Sequence, residues 1–562
     1  MKTYTAGEVH SLTLTGLAIG GEATGRIEDL VVFVPYGVPG DLVEVRLAEV
    51  KKNYARGDIH RILKESPHRQ KPPCPIFYRC GGCQLQQMSY AAQLIFKRRM
   101  VEDVLLHIGG ISDVWVDDII EAPSPWHYRN KMQVVAASKP FLHSTKTSPY
   151  FGLYARQTHQ VVKMDECVIQ HPLSNQLLTV AKNALARLGW TTYNENTGTG
   201  ILRYLITRIS TAKNELLLTI VSTTEQIPDI SRFVRLVSGQ MPNVRGILLN
   251  KNDKRSNVVL GSSFKTVWGD DYIIEEIEGL KFRLSANSFF QVNPPQIGKM
   301  FNIIDKFLDP QPRDVILDAY CGIGAISMWL AKKAGTVIGI EEIPQAKKDA
   351  YASTKMNDIK NLEFHVGRVE KVLPDLFHRG VHIDKVILDP PRKGCEASVL
   401  ELLAKMRVKQ IAYVSCNPAT LARDLAYLKN LNYRIEQIIP LDMFPQTYHV
   451  ECLVKLSYEP HATPAVLENR KTGEIEITEA HPEKKKPTQI VEQKPPERKR
   501  SRLPDMSADE KKPTYRVDTN KMDKKKPATN AGKPEKKLNG AGNNNNEKKP
   551  FRKKKNFSKE EK

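Results

Sequence analysis

The chain has 562 residues, too many for one ordinary domain, and 41% of them are apolar, enough to build cores over most of its length. There is no run of eighteen apolar residues and no signal-peptide core at Met1–Thr5, so no membrane span is expected and the cytoplasm is the expected location. The net charge is +21, but residues 481–562 hold 26 Lys and Arg against 12 Asp and Glu and so carry +14 of it, leaving the rest mildly basic; a polyanionic partner is implied without a site for it.

In chain order, Val31–Val34 and Leu42–Leu47 read as strands separated by the turn-rich Pro35–Gly40. Lys51, Lys52, Tyr54 and Arg56 follow, so a small OB-like β-barrel with a basic, aromatic edge is expected, its charges serving either RNA contact or the protection of a strand edge. Cys74, Cys80 and Cys83 then fall within ten residues, with Cys167 distant in sequence. Disulfides are not expected in a cytosolic chain of this size; three close thiols and a remote fourth suit zinc or an iron–sulfur cluster, and spacing does not choose between them. A helical period covers 90–108, and mixed strands and helices, including Leu216–Val221 and Gly246–Leu249, predict a central α/β domain to about residue 281.

From Asn293 the alternation becomes regular. Strands are expected at Val315–Asp318, Thr336–Ile340, Lys385–Asp389 and Gln410–Val414, with helices between them, which predicts a doubly wound parallel sheet. Such sheets bind ligands at the carboxyl ends of their strands. The turn Ala319–Ala325 contains Gly322 and Gly324, and Glu341 ends the next strand 23 residues after Asp318, where a ribose is gripped in such folds. Ser327 replaces the third glycine of a dinucleotide fingerprint, so an adenosine ligand without phosphates fits better. Cys416 follows the strand Gln410–Val414, Asp389 and Arg392 follow another, and a helix begins after Cys416, which predicts a lowered thiol pKa. Glu451 opens the apolar Cys452–Val454 as either a solvated strand end or a general base. Beyond about Tyr458, Lys, Pro, Asn, Glu and Ser dominate and a disordered basic tail is expected, either holding RNA weakly or simply solvated.

Five motifs in order, Ser288–Asn293, Asp318–Gly324, Asp389–Gly394, Ser415–Asp424 and His449–Glu451, strongly resemble those of the RNA 5-methyluridine methyltransferase family, nearest its 23S ribosomal RNA branch. The resemblance covers Gly7 to about Leu456 and implies a TRAM barrel (1–65), an iron–sulfur and central α/β domain (66–281), a Rossmann-like S-adenosylmethionine-dependent methyltransferase domain (282–457) and the tail (458–562). It implies Cys416 as nucleophile toward carbon 6 of uracil and Glu451 as the base that removes the carbon 5 proton. Gln291, Tyr320, Glu341 and Asp389 would line the methyl-donor site, and Cys74, Cys80, Cys83 and Cys167 would hold a [4Fe-4S] cluster with a structural or RNA-positioning role. The chain departs from the pattern at Val168, where relatives often have proline, and at Ala325–Ser327, where they carry a polar residue followed by an aromatic. The expected partner is ribosomal RNA, with transfer RNA as the close alternative and a monomer as the acting form. A non-catalytic RNA-binding factor is a third reading, against which the intact thiol, carboxylate and Asp-Pro-Pro-Arg motif argue.

Overall fold

The computed structural model describes residues 4–140 and 147–460; the tail expected from 458 onward lies almost wholly outside the described residues. Strands β1 (Val9–Leu17), β2 (Ala23–Ile27), β3 (Leu30–Val34), β4 (Leu42–Val50) and β5 (Tyr54–Lys64) close into a barrel in the order β1-β2-β3-β5-β4. Alternation fills it: Leu12, Leu14, Val32, Val34, Val43, Val45 and Leu47 point inward. Gly57 is needed where β5 crosses β4, because a Cβ there would lie 2.7 Å from the Arg46 carbonyl oxygen. Buried Asp41 accepts from the Val38 and Ser66 amides and pairs with Arg69 at 2.5 Å, fixing the barrel to the segment that follows.

Helix α1 (Tyr90–Gly109) leads to β6 (Lys131–Pro140), β7 (Thr147–Tyr154), β8 (Val161–Lys163), α2 (Pro172–Leu188), β9 (Leu202–Ser210), β10 (Glu215–Ser222), α3 (Ile230–Gln240), β11 (Val244–Lys251) and β12 (Ser263–Gly269). Their seven strands form one sheet, β12-β11-β10-β9-β6-β7-β8, and the apolar faces of α2 and α3 share a core with it. A hairpin, β13 (Tyr272–Ile277) and β14 (Leu280–Ser285), precedes α4 (Pro294–Leu308).

The C-terminal region alternates β15 (Val315–Asp318), α5 (Ala325–Ala331), β16 (Thr336–Glu341), α6 (Pro344–Met356), β17 (Leu362–Val366), α7 (Val369–His378), β18 (Lys385–Leu388), α8 (Ala397–Lys405), β19 (Gln410–Ser415), α9 (Pro418–Asn430), β20 (Tyr433–Leu441) and β21 (Glu451–Tyr458). The sheet order is β17-β16-β15-β18-β19-β21-β20, with β15–β19 parallel and β21 antiparallel to β19. The parallel strands are apolar on both sides because helices cover both faces. Helix α1, early in sequence, places Met100, Val101, Val104 and Leu105 in the same core as Leu421, Leu425 and Leu428 of α9. Among the described residues no helix is long and apolar enough to cross a membrane.

The link between β20 and β21 is a buried knot. Lys97 of α1 pairs with Asp442 at 2.6 Å, both side chains fully buried, and also donates to the Phe444 carbonyl. Gln93 and Gln446 exchange hydrogen bonds, Gln296 donates to the Asp442 carbonyl, and Tyr128 donates to that of Pro445. Replacing Lys97 by methionine keeps the volume but strands the Asp442 charge, and should cost about 3 to 5 kcal/mol, whereas Lys97→Met with Asp442→Leu should recover most of that. Urea denaturation followed by circular dichroism measures both; a single variant as stable as the native chain would show that the pair does not hold the link.

Candidate active site

The carboxyl ends of β15, β16, β18 and β19 bring Asp318, Glu341, Asp389 and Cys416 to one edge of the sheet. Strand β21 runs the other way, so its first residue, Glu451, arrives at the same edge. The last bridged pair of β19 and β21 is Ser415 with Cys452, which makes Cys416 and Glu451 the next opposed pair.

The turn after β15 needs its glycines. Gly322 and Gly324 have φ of 56° and 75°, and a Cβ on Gly324 would meet the Phe364 ring at 2.8 Å. The Gly322 amide donates to Glu341 at 3.0 Å and the Ile343 amide donates to its other oxygen at 2.8 Å, so the carboxylate is held rigidly behind the turn. Ser327, which broke the dinucleotide pattern, donates to Asp318 Oδ2 at 2.6 Å. Asp318 Oδ1 is buried with no hydrogen-bond partner. Beside this turn lies a cleft of about 440 Å³ lined by Phe289, Gln291, Asp318, Tyr320, Ile326 and Asp389, among others. Gln291, Tyr320 and Asp389 therefore stand on the cleft, and Glu341 stands behind Gly322. Asp318 belongs with them and escaped the sequence reading, although its place at a strand end signalled it.

Burial and mutual repulsion raise the acids. Asp318 is pushed up to about 7 by burial and by Glu341, and Asp389 to about 7 by burial and by Asp318. Such a ring of acids, with one acceptor oxygen orphaned, fits a ligand that brings positive charge.

Glu451 is buried and neither of its oxygens has a hydrogen-bond partner among the described residues; burial and Asp389 hold its pKa well above the usual carboxylate range, against the pull of Arg392. Cys416 is half-buried, and its thiol is pushed up to about 11 by burial and by the Glu451 and Asp389 carboxylates, with Arg392 opposing. This corrects the expectation of a lowered thiol pKa. Helix α9 does begin just after Cys416, with Asn417 as its cap, but desolvation and two nearby acids outweigh that end of the helix. His449, pushed down to about 4 by burial and by Arg392, is neutral, and its Nε2 accepts from Arg392 at 3.3 Å.

The remaining motif residues shape this edge. Asn417 and Thr420 donate to the Arg392 carbonyl, Arg423 donates to that of Lys393, and buried Asp424 accepts from the Cys395 amide and the Tyr413 hydroxyl. The segment after Cys416 thus clamps the loop after Asp389.

Cys74, Cys80 and Cys83 occupy the segment between the barrel and α1, and Cys167 precedes α2. The four thiols lie within one another's electrostatic reach: Cys83 and Cys167 are raised by burial first and then by other members of the set. The Gly82 amide donates to Cys80 Sγ at 3.4 Å, and the Ile169 and Gln170 amides donate to Cys167. Among the described residues, however, no group of His, Cys, Asp or Glu side chains converges tightly enough to enclose a metal ion.

Residues 90–459 match the family model described as tRNA (Uracil-5-)-methyltransferase, and residues 4–60 match the TRAM domain. The chain is 37% identical to an RNA methyltransferase of Halalkalibacterium halodurans over 80% of its own length and 97% of that protein's, and 38% identical to one of Clostridium tetani over 80% and 96%. A solved structure, the Pyrococcus abyssi tRNA (uracil-54, C5)-methyltransferase in complex with S-adenosyl-L-homocysteine, is similar with a TM-score of 0.63 at 27% identity, covering 79% of this chain and 99% of that one.

The electrostatics make opposite predictions for two substitutions. Glu451→Gln removes a charge that opposes the thiolate and should lower the pH midpoint of Cys416 alkylation by iodoacetamide, while Arg392→Ala removes the supporting cation and should raise it. Mass spectrometry of the peptide containing Cys416 across pH 7 to 11 reads both; shifts of the same sign would refute this account of the thiol.

Proposed function

The chain belongs to the tRNA (uracil-5-)-methyltransferase family, and on that premise we propose that it methylates carbon 5 of one uridine in RNA through a covalent intermediate on Cys416. S-adenosylmethionine supplies the electrophilic methyl group. The opposed pair of Cys416 and Glu451, both within the field of Asp389 of the acid-lined cleft, carries the reading.

Carbon 5 of uracil is a poor nucleophile. Cys416 gives up its S–H proton to solvent, and addition of the resulting thiolate to carbon 6 forms the sulfur–carbon bond, moves the ring's double-bond electrons into an enolate and makes carbon 5 the nucleophile. Once that carbon is methylated, Glu451 takes its proton, the electron pair restores the ring double bond, and the thiolate leaves. The raised pKa of Glu451 suits this order, because a carboxylate that binds a proton strongly is an effective base at carbon. Arg392 steadies the anionic forms of both groups. On the donor side, Glu341 would hold the ribose hydroxyls, Tyr320 would stack on the adenine face, and Gln291, Asp389 and the orphaned Asp318 oxygen would meet the polar end of the donor, a reading supported by their grouping at and behind one cleft. The target base must leave its stack to reach the sulfur, and exposed Phe289 offers a surface for it at the cleft.

Ribosomal RNA is the substrate we favour, on the motif resemblance and the pairing of the barrel with the cysteine set. Transfer RNA is the second reading, favoured by the similarity to the Pyrococcus abyssi tRNA (uracil-54, C5)-methyltransferase. Mapping 5-methyluridine in both RNAs from a strain lacking the gene decides between them: the modification should disappear from one ribosomal position, and its loss from transfer RNA alone would overturn the choice.

Cys74, Cys80, Cys83 and Cys167 would hold a [4Fe-4S] cluster, a set whose buried thiols and amide donors suit ligated thiolates. Anaerobically purified protein should be brown, with about four irons per chain; colourless protein containing zinc would replace the cluster with a single ion.

Cys416→Ala should abolish methyl transfer while RNA binding persists. Glu451→Gln should accumulate a protein–RNA adduct, seen as a slow-migrating band on denaturing gels, because the final proton is not removed. Turnover by Cys416→Ala would refute the covalent route.

A further inference from the structure

Behind the cleft the central domain holds three cations, Arg129, Lys131 and Arg208, that make no ion pair among the described residues. Lys131 of β6 faces Arg208 of β9 as a directly opposed pair, so the two side chains share a face of the sheet. Arg129, two residues earlier, donates from Nε to the Lys131 carbonyl at 3.1 Å. Arg208 is 2% exposed, and its Nε and Nη1 have no hydrogen-bond partner; Nη2 donates to the Ser288 carbonyl. Asn130, between the two rim cations, is fully buried with both side-chain polar atoms unpartnered. Asp349 is the acid whose field reaches Arg208, and it is already bound by Arg283 and Ser285. Burial, and after it the like charges of Arg208 and Arg129, push Lys131 down to about 7. A buried guanidinium with free donors and no counter-ion is costly, and an anion removes that cost.

The cluster abuts the active edge on two sides. Arg208 and the Asn130 amide hold the carbonyls of Ser288 and Val292, which flank Gln291 on the cleft. Arg129 also depresses the pKa of His449, the residue bonded to Arg392. We propose that Arg129, Lys131 and Arg208 form a preformed site for one backbone phosphate of the RNA, next to the nucleotide delivered to Cys416. Arg129 and Lys131, both half-buried, are the accessible donors, and Arg208 is the fixed charge behind them. A phosphate seated there sets how far the neighbouring base projects toward the sulfur and at the same time loads the segment that carries Gln291.

The inference rests on the chain being an RNA-modifying enzyme, and its test is separable from that reading. Lys131→Gln should weaken binding of a short oligouridine roughly tenfold. It should also flatten the slope of log Kd against log salt by about one, with Lys131→Arg restoring both. S-adenosylhomocysteine affinity should match the native chain in both variants, which shows that the fold is intact. Inorganic phosphate should raise the thermal midpoint of the native chain more than that of Lys131→Gln, whether or not the oligouridine or any other RNA is methylated. Equal salt slopes for native and Lys131→Gln, or equal phosphate protection of the two, would overturn the site and leave the cations as a brace for the Ser288–Val292 segment. Failure of the native chain to methylate RNA would count against the family mechanism alone.

Discussion

The placement of the whole catalytic edge depends on the ion pair between Lys97 and Asp442. Two charges removed from water repay little by themselves; what this pair does is specify one arrangement, because any other leaves a bare charge in a core. Lys97 comes from a helix near residue 100 and Asp442 from the link into the last strand, so the pair ties the start of the methyltransferase fold to its end. The link also takes hydrogen bonds from Gln93, Gln296 and Tyr128, which come from α1, α4 and the start of the central domain. Glu451 begins the strand that leaves this knot. Its position opposite Cys416 follows from a fixed link and a fixed register, and neither would suffice alone.

That placement sets up a competition for charge. Asp318, Asp389 and Glu451 stand close enough that each raises another's pKa or that of the thiol, and burial raises all of them. A resting edge of this kind keeps few negative charges at neutral pH. A cationic donor relieves the repulsion among the acids, and a phosphate bound by Lys131 and Arg208 would relieve the opposite problem behind the cleft. Acid-rich and cation-rich faces, each short of counter-charge, thus sit on either side of the segment Ser288–Val292.

Much of this was legible in the sequence, for a simple reason. In a parallel sheet covered on both faces, strands are short apolar runs, and the polar residue that ends each run marks the ligand edge. Asp318, Glu341, Asp389 and Cys416 all ended such runs. Glu451 was harder, because it begins an antiparallel strand and spacing alone favoured a solvated end; only its register against β19 shows that it is buried opposite the thiol. Nothing in the sequence marks Lys97, since its partner lies 345 residues away. The thiol pKa was read with the wrong sign, because the helix after Cys416 is visible in sequence and the carboxylates that outweigh it come from other strands.

A raised thiol pKa constrains how Cys416 could act as the proposed nucleophile. Burial and the Glu451 and Asp389 carboxylates push the thiol up to about 11 and so favour its protonated, less nucleophilic form in the free chain. Activation then has to come with the substrates. A sulfonium near Asp389 offsets one of the charges that oppose the thiolate. In the proposed route, attack on carbon 6 would pass the negative charge from sulfur into the ring enolate, where the incoming methyl group neutralises it. Transfer of that charge also lowers the cost of ionising Glu451, because the thiolate that competed with it has become a thioether. On the proposed route the same two groups that suppress each other at rest would be used in sequence, first the sulfur and then the carboxylate, and the bond between sulfur and carbon would pass the charge from one to the other.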